Sequence, residues 1–264
     1  MRLFWELARR SFRRYASYRA ATFGGVFTNT VFGFIRAAVL LAVFRQRKDV
    51  GGFDVADALT FTFVSQGFLA VAGTFMGHLQ LADRIQTGDV VTDLHRPVDL
   101  QVFELGSDIG RAAYQATVRA MVPVIAGGLV FDLRLPTTPG PWLVFALSTF
   151  LGLLVSFGHR FVISLTTFWT LDYRAASQIS VVLALFLSGF SIPLVFFPDW
   201  AETVARLLPY AAFVQVPIEI LLGKYEGFAL LGALAGQAAW AVVLLGLGRL
   251  VLRAATRRVV VQGG

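Results

Sequence analysis

The chain has 264 residues, of which 56% are apolar or aromatic and only 15% are charged. Soluble domains carry about 25% charged residues, and a mean hydropathy of +0.69 implies more apolar surface than a core of this size can bury. The composition therefore predicts an integral membrane protein and excludes an ordinary soluble domain. Because the chain has no cysteine, disulfide frameworks, thiolate metal sites and cysteine nucleophiles are also excluded.

The net charge of +7 indicates contact with lipid rather than with nucleic acid. The basic residues flank apolar runs, where they can meet anionic lipid headgroups. We therefore expect the lipid bilayer, and no nucleic acid, as a partner.

Residues 1–19 have the pattern of an amphipathic helix that lies in the membrane interface. One side carries mostly aromatic residues and the other carries charges: Phe4, Ala8, Phe12, Tyr15 and Tyr18 against Arg2, Glu6, Arg9 and Arg13. The alternative is an ordinary cytoplasmic flank without a membrane role.

Six apolar runs follow, each long enough to cross a hydrocarbon core of roughly 30 Å as a helix. They cover residues 20–44, 56–78, 111–131, 141–163, 178–197 and 227–252. The sequence does not define where the fourth run ends on the inner side, because apolar residues continue to Leu171. The sequence thus predicts an all-α fold in which residues 1–264 form a single membrane domain with six transmembrane helices.

Lys and Arg predict the orientation of these spans. With the N-terminus inside and the spans alternating, more basic residues fall inside than outside. The cluster of Arg45, Arg47 and Lys48 argues the other way, so the bias is a majority rather than unanimous. We expect both termini in the cytoplasm.

Motifs for catalysis are absent from the sequence. A nucleotide-binding loop needs a glycine-rich turn ending in Gly-Lys-Ser/Thr, and neither Lys48 nor Lys224 stands in one. His78, His95 and His159 lie on separate segments without metal-ligand spacing. We expect no catalytic residue, no metal site and no cofactor in this chain.

The connection between the second and third runs, residues 80–100, predicts two short helices. Gly88 can end the first and Pro97 can stop the second. Between them, Val90, Val91 and Leu94 stand among charged residues, a pattern that suits docking to another protein. A solvated loop is the alternative.

Polar residues inside the runs are candidates for a substrate pathway. One helical stripe carries Glu104, Asp108, Arg111, Gln115 and Arg119; it predicts either the inner mouth of a pathway or a structural network in which Glu104 and Asp108 balance Arg111. Arg36 either snorkels to the outer interface or makes contacts with substrate or other helices. The pathway candidates are Asn29, Arg36, Ser65, Gln66, Gln115 and Arg119.

Glycine pairs four residues apart predict places where helices approach closely. These pairs are Gly73 with Gly77, Gly106 with Gly110, and Gly232 with Gly236.

Prolines divide the segment after the fifth run into pieces too short to span a membrane. They are Pro193, Pro198, Pro209 and Pro217. We expect short amphipathic helices at the outer face that dip partly into the membrane beside protein.

The chain resembles the ABC-2 type permeases, in particular the bacterial ABC-2 family transporter proteins. The resemblance rests on three stretches in order: Ile85-Gln-Thr-Gly88-Asp-Val-Val-Thr-Asp-Leu94-His-Arg96-Pro97; Gly189-Phe-Ser-Ile-Pro193-Leu-Val-Phe-Phe-Pro198 with Leu208-Pro209 and Leu222-Gly223; and Arg257-Arg258-Val-Val-Val-Gln-Gly-Gly264.

The resemblance implies a permease subunit of an exporter in the bacterial cell membrane. A second permease subunit, identical or paralogous, and two separate ATP-binding subunits that hold ATP and Mg would complete it. It further implies an elbow helix at residues 1–19, re-entrant helices within residues 198–226 and a coupling helix at residues 87–96. The implied coupling residues are Ile85, Gly88, Asp89, Leu94, Arg96 and Pro97.

Two other functions remain as alternatives. An ion-coupled secondary transporter would need inverted repeats or acidic residues near the bilayer midplane, and the six runs contain no clearly central Asp or Glu. A membrane-embedded enzyme or assembly factor would need convergent polar side chains, against which the scattered histidines count.

Overall fold

The computed structural model describes residues 2–46, 49–73 and 77–262, and this part of the chain is all-helical, at 80% helix without a β-strand. The helices are α1 (Arg2–Ser17), α2 (Arg19–Phe44), α3 (Val55–Val71), α4 (Leu81–Thr87), α5 (Val90–Leu94), α6 (Leu100–Gln115), α7 (Met121–Gly128), α8 (Pro139–Thr170), α9 (Arg174–Leu187), α10 (Asp199–Leu207), α11 (Gln215–Leu221) and α12 (Gly227–Gln262). A π-helical turn, Ala116–Ala120, joins α6 to α7, and 3-10 turns form at Leu194–Phe196 and Pro209–Phe213.

Three helices are long and apolar enough to cross a membrane: α2, α8 and the part of α12 at Gly227–Arg257. They coincide with the first, fourth and last predicted runs, so the prediction of an all-α membrane fold is confirmed at this level. The structure also shows where the fourth run ends, because α8 continues without a break to Thr170.

The other three predicted runs are shorter or begin elsewhere. The second ends at Val71 rather than at residue 78, because Gly73 adopts a left-handed backbone with φ +66°. The third begins at Leu100, since the Asp99 carboxylate accepts the amide of Val102 and caps α6 there. The fifth ends at Leu187, before Gly189 at φ +79°. The count of six spans therefore stays a prediction.

The segment after α9 breaks into short pieces, as its prolines predict. Pro198 precedes α10, and Pro209 opens a 3-10 turn. The seven residues of α11 are almost all buried. Whether these pieces enter the membrane stays a prediction.

The N-terminal helix lies at one end of the molecule, which we call the N-terminal end. Arg14 of α1 donates to the side chain of Gln80 before α4 at 3.2 Å, and Gln86 of α4 donates to the carbonyl of Leu171 after α8 at 3.2 Å. Gln101 of α6 donates to Leu245 of α12 at 3.0 Å. These contacts gather α1, α4, the start of α6 and the later parts of α8 and α12.

Ion pairs join the loops at the opposite end. The Asp57 carboxylate, only 1% exposed, pairs with Arg134 at 2.8 Å and with Lys224 at 2.6 Å. Arg134 also pairs with Asp54 at 2.6 Å. Of the basic cluster predicted at this end, Arg47 and Lys48 lie outside the described residues.

The aromatic side of α1 packs against α6. Gly106 lies beside the ring of Phe4 and Gly110 beside the backbone of Ala8, while Phe12 meets Tyr114 edge to face at 5.5 Å between ring centroids. This glycine pair therefore allows close helix approach, as predicted.

The other two glycine pairs differ from this one. A Cβ built on either Gly232 or Gly236 would meet no atom of the described chain within 4 Å, so close approach at that pair stays a prediction. Gly73 and Gly77 both have positive φ and lie in a break rather than on a helix. A Cβ on Gly77 would overlap the backbone of Ser177 in α9, so the chain does approach a helix closely there.

We expect Gly110→Ala to destabilise the protein by about 1–3 kcal/mol, the usual cost of overpacking. The new Cβ would overlap the backbone carbonyl of Ala8, which cannot move without shifting α1. Thermal unfolding in detergent, followed by circular dichroism, measures the change. Gly236→Ala is the matched control, because open space at that position leaves only the gain in helix propensity. Equal behaviour of the two variants would contradict the assigned packing.

Candidate functional site

The helices α4 and α5 form a compact hairpin at the N-terminal end. Gly88 joins them at φ +85°, a conformation that glycine adopts without strain, and its amide donates to the carbonyl of Ile85 at 3.2 Å. The short helix Val90–Leu94 follows and ends before Pro97. The local geometry is the pair of short helices that Gly88 and Pro97 predict.

A central arginine holds this hairpin to α6. The Arg84 Nε atom pairs with the Asp93 carboxylate at 2.6 Å, and the same guanidinium pairs with Glu104. Burial alone would lower the pKa of Arg84, but Glu104 and Asp93 together raise it above its usual value. We call Arg84, Asp93 and Glu104 the Arg84 clamp.

The predicted coupling residues divide between two sides of the hairpin. Ile85 belongs to a buried cluster with Phe157 and Phe161, and Leu94 packs against that cluster. The other four coupling residues are exposed: Gly88, Asp89, Arg96 and Pro97. Val91, 42% exposed, stands with them. We call Gly88, Asp89, Val91, Arg96 and Pro97 the hairpin tip.

The hairpin also contacts the end of α8. The Tyr173 hydroxyl donates to the Asp83 carboxylate at 2.5 Å, and the Ser164 hydroxyl accepts the amide of Leu79 at 2.8 Å. The hairpin and Leu79 before it are therefore bonded to α8 and to the start of α9 as well as to α6.

A buried ionic cluster lies one helical turn beyond the clamp. The Asp108 carboxylate, 5% exposed, accepts two hydrogen bonds from Arg160, at 3.1 and 2.7 Å, and one from Arg111 at 2.7 Å. We call these three residues the Asp108 cluster. Two buried guanidinium groups share one carboxylate, so the cluster carries a net positive charge.

This cluster terminates α3. Arg111 donates to the carbonyls of Ala70 at 2.6 Å and Val71 at 2.9 Å, and Ser156 donates to that of Ala72 at 2.5 Å. A cation at the carbonyl end of a helix is favourable, because the last carbonyls lack intrahelical partners. Asp108 and Arg111 thus serve a structural network, one of the two predicted alternatives, while Glu104 balances Arg84 instead of Arg111.

A cavity of about 430 Å³ opens beside the cluster, between α1, the start of α2, the end of α3 and α6. Its lining includes Arg14, Tyr15, Tyr18, Thr22, Gln115 and Arg119. Within the described residues, the Gln115 Oε1 atom and the Arg119 Nε atom are buried without a hydrogen-bond partner. The predicted pathway residues Gln115 and Arg119 therefore meet at one cavity.

A family model described as ABC-2 family transporter protein matches residues 31–263. The chain belongs to this family. It is a membrane permease component of an ABC transporter, a transport component that is generally not itself catalytic. A search of curated proteins found no matching sequence. The matched range contains the hairpin, the Asp108 cluster and most of the cavity lining, while α1 lies before it.

The remaining predicted pathway residues of this ABC-2 family member lie away from the cavity. Asn29 donates to the Gln66 carbonyl at 3.0 Å, and Ser65 donates to its own helix at Thr62. Arg36 stacks on the Phe190 ring at 4.9 Å and donates to the carbonyls that follow α9. Arg36 thus makes contacts between helices and does not snorkel outward.

The three histidines of the permease make local contacts. His78 and His159 hydrogen-bond to Ser177 and Ser180 at 2.9 and 2.8 Å, and His95 lies 2.7 Å from the Val91 carbonyl. Among the described residues, no group of His, Asp or Glu is arranged to hold a metal ion.

Sequence reasoning missed several residues of this permease that shape the site. The sequence alone assigned no individual role to Arg84, Asp93 or Arg160. The ion pair of Arg84 with Asp93 could have been predicted from the opposite charges that these residues carry on the two sides of the Gly88 turn. Arg160 interrupts an apolar run and so needed a buried partner.

Proposed function

We propose that this chain is the membrane-spanning permease subunit of an ABC exporter and that a separate ATP-binding subunit drives it through the hairpin tip. The observation that supports this is an exposed tip that the Arg84 clamp fastens to α6 and that the apolar packing of Ile85 and Leu94 fastens to α8. The complete transporter contains two ATP-binding subunits and a second permease subunit, identical or paralogous. The chain crosses the bacterial cell membrane six times with both termini in the cytoplasm.

The contacts of the hairpin define how motion would travel. A push on the tip moves Asp93, and the Arg84 clamp passes the displacement to Glu104 on α6. The packing of Ile85 and Leu94 against Phe157 and Phe161 passes it to α8. Both helices meet again at the Asp108 cluster, which holds the end of α3, so α3, α6 and α8 would shift together.

Nucleotide binding can drive transport only if the ATP-binding subunits bind two permease conformations with different affinity. The hairpin tip is the surface where that difference acts. The proposed pathway residues are Gln115 and Arg119, which line the cavity, together with Asn29, Arg36, Ser65 and Gln66, which lie away from it. The short helices within residues 198–226 close the outer side.

Val91→Asp tests the docking role of the tip. Val91 is exposed, so the change should leave folding intact, while a charge in an apolar docking contact should weaken ATPase binding by about tenfold or more. Co-expression with the ATP-binding subunit of the same transporter, followed by affinity purification, measures how much ATPase each permease variant retains. Leu94→Asp is the poorer probe, because Leu94 packs inward.

Val130→Asp is the matched control, since Val130 is 61% exposed after α7 and lies outside the cell in the proposed orientation. It should retain the full amount of ATPase. Equal retention by Val91→Asp and Val130→Asp would refute docking at the tip. Impermeant labelling of Thr92→Cys in intact cells provides the check on sidedness, because the chain has no other cysteine; labelling from outside would refute the orientation.

A further inference from the structure

The cavity between α1, α2, α3 and α6 is lined by positive charge. Arg14, Arg111 and Arg119 line it, and none of its described lining side chains is a carboxylate. Arg14 donates to the neutral side chain of Gln80. Arg111 shares the Asp108 carboxylate with Arg160. Arg119 makes no ion pair with any described residue. The cavity therefore favours an anion.

Two polar groups that line this cavity have atoms without a hydrogen-bond partner among the described residues. Gln115 is 8% exposed, and its Oε1 atom is unpartnered among the described residues, as is the Nε atom of Arg119. A buried polar atom without a partner is unfavourable. A phosphate group can provide both missing hydrogen bonds. Its oxygens accept from the Arg119 Nε atom, and a phosphate hydroxyl can donate to the Gln115 Oε1 atom.

The backbone around Arg119 makes room for its side chain. Arg119 lies in the π-helical turn Ala116–Ala120, a feature found frequently at functional sites. Its guanidinium lies against Gly25 of α2, where any Cβ would overlap it. Gly25 therefore leaves the space that the Arg119 guanidinium occupies beside the cavity.

The position of the cavity indicates where its anion would come from. Tyr15 and Tyr18 line it where α1 turns into α2. Tyrosine and an arginine-rich amphipathic helix are typical of the headgroup level of a membrane. A phosphate attached to a lipid would reach the cavity at that depth.

We propose that this cavity binds a phosphate group, carried on the headgroup of an amphiphilic ligand, through Arg119 and Gln115. The further step, that this amphiphile is the transported substrate, rests on the proposed function. Binding itself requires no ATPase, so the two proposals can be tested separately.

Isothermal titration of the full chain in dodecyl maltoside tests the binding. The probes are dihexanoyl phosphatidic acid, the corresponding diacylglycerol without phosphate, and inorganic phosphate. Phosphatidic acid should bind at least about tenfold more tightly than the diacylglycerol, and Arg119→Gln should remove most of that difference. Arg253→Gln, which neutralises an exposed arginine on α12, should change nothing.

Inorganic phosphate separates the two sources of the anion. If inorganic phosphate binds more weakly than phosphatidic acid, the ligand is an amphiphile. If the two bind with equal affinity, the headgroup assignment is overturned in favour of a free phosphate. Arg119→Lys keeps the charge and should retain part of the affinity, so a folding defect in Arg119→Gln cannot account for the result. Equal affinities for phosphatidic acid and diacylglycerol, or equal losses in Arg119→Gln and Arg253→Gln, would overturn the anion site. If the unmodified chain docks its ATPase but does not bind phosphatidic acid, this inference alone is overturned. If it binds phosphatidic acid but docks no ATPase at the hairpin tip, the proposed function alone is overturned.

Discussion

Asp108→Asn should lower the free energy of unfolding by about 3–5 kcal/mol, the usual cost of removing one partner from a buried ion pair. The change leaves the buried guanidinium groups of Arg111 and Arg160 without their shared carboxylate. It also loosens the end of α3, because Arg111 would no longer be held against the carbonyls of Ala70 and Val71. Denaturation in mixed micelles with increasing dodecyl sulfate measures the loss.

Asp132→Asn is the control for Asp108→Asn. Asp132 is exposed and forms no ion pair with any residue the structure describes, so its replacement should change the free energy of unfolding by less than about 0.5 kcal/mol. Asp108→Glu keeps the negative charge and should recover part of the stability. If Asp108→Asn were no more destabilising than Asp132→Asn, the cluster would not be what holds α3 to α6 and α8.

Local signals predicted the parts of the fold that local physics decides. Gly88 joins the two helices of the hairpin and Pro97 follows their end, in the sequence-based prediction and in the structure, because a left-handed turn and a missing amide act on their immediate neighbours. The long helices α2, α8 and α12 could also be predicted from the sequence, because length and hydropathy alone define them.

Helix ends inside apolar runs were harder to predict. The second run reads as continuous through Gly73, yet α3 stops at Val71, where side chains from α6 and α8 take up its last carbonyls. The guanidinium that makes this possible belongs to Arg111, 40 residues away in the chain. Pairings of that range depend on tertiary packing, which a single sequence does not display.

The faces of short helices were also ambiguous. In a helix of five residues such as α5, Val90, Val91 and Leu94 fit either an inward or an outward apolar side. The structure buries Val90 and exposes Val91. Leu94 packs inward, because α8 supplies a cluster of phenylalanines beneath it.

Arg84→Gln should release the hairpin from α6 while the rest of the protein stays folded. The change leaves the carboxylates of Asp93 and Glu104, each with a side chain only 7% exposed, without the cation between them. Since Arg84 itself is partly exposed, we expect the opening free energy of the hairpin to fall by about 2–4 kcal/mol, somewhat less than for a fully buried pair. Amide exchange measured by mass spectrometry on peptides from residues 81–96 should accelerate at least about thirtyfold.

Arg96→Gln distinguishes the clamp from a general loss of charge on the hairpin. Arg96 pairs with the same Asp93 at 3.2 Å, but its side chain is 49% exposed, and an exposed ion pair contributes roughly 0–1 kcal/mol. Its replacement should leave exchange in the hairpin nearly unchanged. Faster exchange in Arg84→Gln alone would also predict a specific functional defect, in which the ATP-binding subunit still docks at Val91 but its movement no longer reaches α6. Equal exchange in the two variants would mean that apolar packing of Ile85 and Leu94, and not the Arg84 clamp, makes the hairpin rigid enough to transmit force.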